Sequence, residues 1–136
     1  MIAFFDASAL IYLVEGAESF ASRNRRQIEK LRQRTRNLGT AVSRLAWLEC
    51  RIRPARRNES ATLALYDAFS AKTDLLWIEL TRDVVELAAD IRIRHGRRTP
   101  DSLQAASCLQ LGPRQVFLTG NRAFKSVFDL NAQVLA

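Results

Sequence analysis

Residues 2–10 read Ile2-Ala3-Phe4-Phe5-Asp6-Ala7-Ser8-Ala9-Leu10. Four apolar residues in succession, two of them aromatic, have the pattern of a short strand buried on both faces, as strands of a parallel sheet are. The run stops at a carboxylate, and a helix pattern from Ser8 to about Glu15, closed by Gly16, follows at once. In open α/β sheets, ligands gather where the carboxyl ends of strands pass into helices. Two readings of Asp6 are therefore open. It caps the helix by accepting from free N–H groups, or it is a functional acid at the rim of an apolar core.

Outward from this stretch, strand and helix patterns alternate. Ala17 to Leu38, stopped by Gly39, is an amphipathic helix with Phe20, Ile28, Leu31 and Leu38 on one face. Thr40 to Val42 is a second strand, and Ser43 caps a helix expected to end near Arg53, before Pro54. In that helix Leu45, Leu48 and Ile52 define the expected buried stripe, with Glu49 at its border. A glutamate there is costly unless paired or bound to a cation, and Arg44 and Arg53 are the available partners. Asn58 to about Lys72 is a helix with Leu63, Tyr66 and Phe69 inward, Leu75 to Leu80 is a strand, and Thr81 opens a helix ending at His95-Gly96. Thr99-Pro100-Asp101-Ser102 reads as a helix start with Thr99 as cap. The following helix to Leu111 is apolar almost all round, so Asp101 stands at the mouth of a buried helix, as an ordinary first-turn acid or a functional one. Gln115 to Leu118 and Ala132 to Leu135 are the last strands, and Thr119-Gly120-Asn121-Arg122 is a polar turn between them. The expectation is one α/β domain over residues 1–136, with a mainly parallel central sheet flanked by helices.

Composition narrows the function classes. Apolar residues make up 48% of the chain, enough for a core, and no run approaches the ~20 apolar residues of a membrane span. A soluble, cytoplasmic protein is expected, with no membrane partner. Cys50 and Cys108 lack paired spacing and read as buried free thiols. A single histidine, His95, excludes a multi-histidine metal centre, and no nucleophile-elbow pattern supports a serine hydrolase. The net charge is +7, and 18 of the 21 basic residues are arginine, which forks onto phosphate oxygens. Seven basic residues and one acid, Glu29, lie between Arg23 and Arg36, and Arg23, Arg26, Lys30 and Arg34 form one stripe. Like charges at that spacing repel, which favours a polyanion-facing role over a plain solvated face.

Three separate segments thus place Asp6, Glu49 and Asp101 at a strand end, a helical edge and a helix mouth. Two carboxylates brought to 4 Å repel by about 4 kcal/mol at an effective dielectric of 20, and a divalent cation reverses the sign. Oxygen ligands without His or Cys point to magnesium or manganese. Periodicity alone does not bring the three together.

The chain resembles PIN-domain ribonucleases, and among them the VapC-type toxins of bacterial toxin–antitoxin pairs. The resemblance spans nearly the whole chain. It rests on D-x-S (Asp6, Ser8), the mid-chain Glu49, the helix opening at Asp101 and the late T-x-[DN]-R (Thr119, Asn121, Arg122). It implies that Asp6, Glu49 and Asp101 hold Mg2+, with Mn2+ as a substitute, for in-line attack of water on an RNA phosphodiester. Ser8 and Thr119 would orient these groups. Asn121 stands where many members carry a fourth aspartate, so it would ligate without adding charge. RNA would be the substrate, gripped by Arg23, Arg26, Lys30, Arg34 and Arg122. The partners implied are a second copy, as a homodimer, and a small antitoxin protein. The alternative is a catalytically inactive PIN-fold module that binds RNA or protein, for which Asn121 is the best argument. A receiver domain fits worse, because Ala7 follows Asp6 where paired acids are needed.

Overall fold

The computed structural model describes the chain apart from residues 17, 36, 128 and 136, and for residues 18–24 it describes the backbone course alone. Five strands, β1 (Ile2–Phe5), β2 (Gly39–Ser43), β3 (Leu75–Ile78), β4 (Gln115–Thr119) and β5 (Ala132–Val134), form one sheet in the order β3-β2-β1-β4-β5. Every pairing is parallel. The helices are α1 (Ala7–Glu15), α2 (Glu18–Arg34), α3 (Arg44–Arg56), α4 (Ser60–Ser70), α5 (Arg82–His95) and α6 (Thr99–Leu109), with a short 3-10 helix at Arg122–Ser126.

The central strand explains the layering. Ala3 and Phe5 face one core with Leu10 of α1, Ile28 and Leu31 of α2, Cys50 of α3 and Tyr66 and Phe69 of α4. Phe4 faces the other, with Val84, Ala88 and Ile91 of α5, Ala105 and Cys108 of α6, Phe117 and Phe124. Because side chains alternate along a strand, the apolar run of residues 2–5 feeds both cores, and Phe4 stacks on Phe117 across the sheet at 5.5 Å. Connections moving from β1 to β2 to β3 cover one face. The return from β3 to β4 covers the other, as a constant right-handed crossover requires. The winding therefore reverses between β1 and β4, and a crevice opens at their carboxyl ends.

Several local expectations need correction. Helix α3 runs through Pro54 to Arg56, and its buried face is Ala46, Cys50 and Pro54, while Leu48 and Ile52 are 57% and 41% exposed. Small residues spaced four apart let α3 approach the sheet and α1 closely. Burial of the Pro54 ring on that face offsets the backbone hydrogen bond that proline cannot donate. Thr99 lies in the first turn of α6; Arg98 is the cap residue, and no side chain caps this end. Strand β3 stops at Ile78, short of Leu80. The closing glycines behave as expected: Gly16 and Gly96 adopt left-handed φ values of 56° and 64°. Phe20, an expected core residue of α2, falls outside the described side chains.

Candidate active site

Asp6 continues β1 by donating its N–H to the carbonyl of Leu118 (3.1 Å), and then turns the chain into α1. Its Oδ1 accepts from the N–H of Ala9 (2.9 Å) and the hydroxyl of Ser8 (2.7 Å), and its Oδ2 accepts from the Thr119 hydroxyl (2.5 Å). The two hydroxyls are themselves held: Ser8 Oγ accepts from Gly120 N (2.9 Å) and Thr119 Oγ1 from Asn121 N (3.0 Å). Asp6 therefore caps α1 and is also the hub that ties β1 to the end of β4. It is 5% exposed. Burial pushes its carboxyl above the usual carboxylate range, the nearby Asp101 charge adds to that, and the three hydrogen bonds oppose it without prevailing. Gly120 permits this interlock: a Cβ there would lie 3.0 Å from the Tyr12 ring and 3.3 Å from Ser8 Oγ.

Glu49 reaches the same crevice from α3. Its two candidate partners are occupied elsewhere, Arg44 by Glu79 (2.6 Å) and Arg53 by Glu15 (2.9 Å). Gln104 holds it instead, donating from Nε2 to Glu49 Oε1 (3.1 Å). Gln104 is in turn oriented by Ser43, whose hydroxyl donates to Gln104 Oε1 (2.8 Å) while capping α3 at Ala46 N (3.0 Å). Glu49 stays open to solvent on one side. Partial withdrawal from water still raises its pKa, assisted by the charges of Asp101 and Asp6 and opposed by the Gln104 bond. Gln104, 3% exposed, is a cleft residue that the sequence reading passed over, whereas Ser43, 0% exposed, is the helix cap that was expected. The available signal was one amide in the otherwise small and apolar α6, one turn beyond Asp101.

Asp101 occupies the first turn of α6, with Arg98 Nε 4.0 Å from its Oδ2. Asn121 follows β4, and its Oδ1 accepts from Ala123 N (3.0 Å), capping the 3-10 helix. Asp6, Ser8, Glu49, Asp101, Gln104, Asn121 and Phe124 line one cleft of about 170 Å³. Thr119 lies just behind it, bonded to Asp6. Arg122 is exposed beside Asn121, and Arg26, Lys30 and Arg34 are exposed on α2. The last turn of α2 delivers the chain to Gly39, at the amino edge of the sheet, opposite the cleft. The Arg23 side chain lies outside the described residues.

Residues 3–129 match the family described as PIN domain. The chain belongs to the PIN domain family. No curated protein matches it. Among solved structures, a chain of VapBC2 from Rickettsia felis, bound to a DNA fragment from its promoter, aligns with a TM-score of 0.78 at 15% identity, covering 100% of both chains. A chain of a toxin–antitoxin complex from Klebsiella pneumoniae gives 0.68 at 20%, covering 98% of each. A chain of VapBC-1 from nontypeable Haemophilus influenzae gives 0.70 at 20%, covering 99% of this chain and 98% of that one. At these identities the likeness is one of fold.

The PIN cleft carries carboxylate, hydroxyl and amide oxygens and no His or Cys, a donor set for a hard divalent cation. Among the described residues, no three His, Cys, Asp or Glu side chains form a ready-made cage. The donor types fit magnesium, which keeps several waters and commonly takes one or two carboxylates. The raised pKa values of Asp6 and Glu49 point the same way: burial and neighbouring carboxylates disfavour their charged forms, and added positive charge would relieve that. The thiols take no part. Cys50 is buried, its pKa pushed up to about 12 by burial, and Cys108 is shifted upward for the same reason.

Proposed function

We propose that this PIN domain is a VapC-like toxin, a magnesium-dependent endoribonuclease of the cytoplasm, working as a homodimer and silenced by a small antitoxin. One observation carries the reading: Asp6, Glu49, Asp101 and Asn121, from four separate segments, line a single cleft at the point where the sheet's winding reverses. Asp6, Glu49 and Asp101 are the residues that would hold Mg2+, or Mn2+ in its place. The ion supplies Lewis-acid polarisation of a phosphate and a lowered pKa for water at the site. Around it, Ser8 and Thr119 fix both oxygens of Asp6, and Gln104 fixes Glu49, so little reorganisation is left for the moment of reaction. Arg26, Lys30 and Arg34 of α2, with Arg122, add positive potential that attracts RNA. The groove between α1 and α4, lined by Leu13, Val14, Leu65, Ala68 and Phe69 with Lys72 among them, is mostly apolar, in keeping with a protein partner.

Incubation with total cellular RNA tests the reading. Cleavage is expected in millimolar Mg2+ or Mn2+, and is expected to vanish in chelator and in Asp6→Asn. Cleavage at the wild-type rate in either of the last two conditions overturns it. A second reading, a PIN module that binds RNA without turnover, is favoured by Asn121, whose amide oxygen is spent on a helix cap and adds no charge to the cleft. RNA binding without cleavage under every metal condition would select it.

A further inference from the structure

The last turn of α5 and the short connection to α6 carry Arg92, Arg94, Arg97 and Arg98 within seven residues, just before Asp101 in the first turn of α6. Arg92 Nη1 donates to the carbonyl of Arg97 (3.4 Å) and to Thr99 Oγ1 (3.1 Å), and the buried Ser102 hydroxyl donates to the same Arg97 carbonyl (3.2 Å). The backbone of the loop is thereby braced from two sides. Its guanidiniums are not similarly satisfied. Arg97 Nε is buried without a hydrogen-bond partner. Among the described residues the only carboxylate contact of this group is the 4.0 Å approach of Arg98 to Asp101, with the Arg98 side chain 86% exposed. Arg98, on a backbone braced in this way, thus sets positive charge beside Asp101, which lines the acidic cleft.

We propose that the Gly96–Arg98 loop is a phosphate-docking site for the RNA strand beside the cleft, with Arg97 and Arg98 taking phosphate oxygens and Arg92 acting as brace. The proposal rests on the endoribonuclease reading and deepens it. Guanidinium forks match phosphate oxygens in pairs. A strand with one phosphate brought into the cleft by a bound cation carries the next along the lip, at the regular spacing of its backbone.

The test is binding of a fluorescently labelled single-stranded oligouridylate of about 12 nucleotides, within the span of single-strand grooves, in chelator and over a salt series. Arg97→Gln/Arg98→Gln is expected to weaken binding at least tenfold at low salt. The slope of log affinity against log salt should shrink by about 1.4, at about 0.7 per phosphate contact. Arg98→Gln alone, on a side chain too exposed to affect folding, is expected to remove about half of that slope change. Arg56→Gln/Arg57→Gln, removing equal charge at the far end of α3, should leave the slope unchanged. If the wild type binds and the loop variants match it, or the α3 pair shifts the slope equally, the docking site is wrong while the endoribonuclease reading stands. If the wild type does not bind RNA, the docking site is overturned, while the endoribonuclease reading is judged separately by cleavage in Mg2+ or Mn2+. If oligoglutamate of equal charge binds as tightly and the loop variants lose it alike, the loop is a dock for an acidic protein segment and its assignment to RNA is overturned.

Discussion

At the scale of single residues, Asp6 caps a helix and lines the cleft with the same side chain. Capping uses one lone pair of Oδ1 and leaves the carboxylate at the cleft wall. Both Asp6 and Glu49 have folded-state pKa values above their ordinary ones. Each therefore binds its proton more tightly in the folded state than in the unfolded chain. The stability that this contributes is complete below the unfolded pKa and is lost as pH rises through the folded value. In chelator, the wild type is expected to gain stability relative to Asp6→Asn as pH falls from 7 to 4. At pH 7 Asp6→Asn should melt at or above the wild-type temperature. Denaturant titrations of both proteins across that range check the sign, and a pH-independent difference would contradict it. Gln104 makes a complementary case. Gln104→Leu strips Glu49 of its donor and leaves the buried Ser43 hydroxyl without its acceptor, so a loss of about 1–3 kcal/mol is expected. A magnesium titration of RNA cleavage should also shift to higher concentration, because the Glu49 carboxylate is no longer aimed.

At the scale of elements, the sequence reading located each strand and helix but not always the face it turns inward. The stretches ending at Gly16 and Gly96 were legible, because a left-handed closing residue is a local requirement that glycine meets. The buried face of α3 was not. Leu45, Leu48 and Ile52 make the better apolar stripe, yet the helix turns Ala46, Cys50 and Pro54 inward, with the Cys50 thiol donating to the carbonyl of Ala7 in α1. Side-chain size at a contact is settled by the neighbour, and the neighbour is distant in sequence. The 3-10 helix after β4 offers a test at this scale. Asn121 caps it through Oδ1, and an aspartate caps equally well, so Asn121→Asp changes the charge of the cleft while keeping the local structure. The melting temperature is expected to fall in chelator and to rise in millimolar Mg2+, with a steeper dependence of cleavage on magnesium. Scanning calorimetry with and without the ion decides it; indifference to both would place Asn121 outside the electrostatic reach of the acids.

For the molecule as a whole, the cleft joins the beginning, middle and end of the chain, through Asp6, Glu49, Asp101 and Asn121. A cation held there bridges segments that separate completely on unfolding, so its binding should stabilise the entire cooperative unit and not one loop. At a magnesium concentration a hundredfold above the dissociation constant, about 2.7 kcal/mol of added stability is expected. The gain should be lost in Asp6→Asn, and unfolding monitored by both far-ultraviolet dichroism and tryptophan fluorescence should show it alike. By itself the sequence determined the alternation of strands and helices, the doubly buried run of residues 2–5, the helix ends at Gly16 and Gly96 and the three carboxylates worth testing. These are consequences of periodicity, capping and burial cost, which act between residues a few positions apart. Only the tertiary structure decided that β1 and β4 are neighbours, that the winding reverses between them, and that Gln104 of α6 reaches Glu49 of α3. Strand order and the side taken by each crossover follow from which apolar faces bury one another across the chain, and no local pattern of residues encodes that pairing.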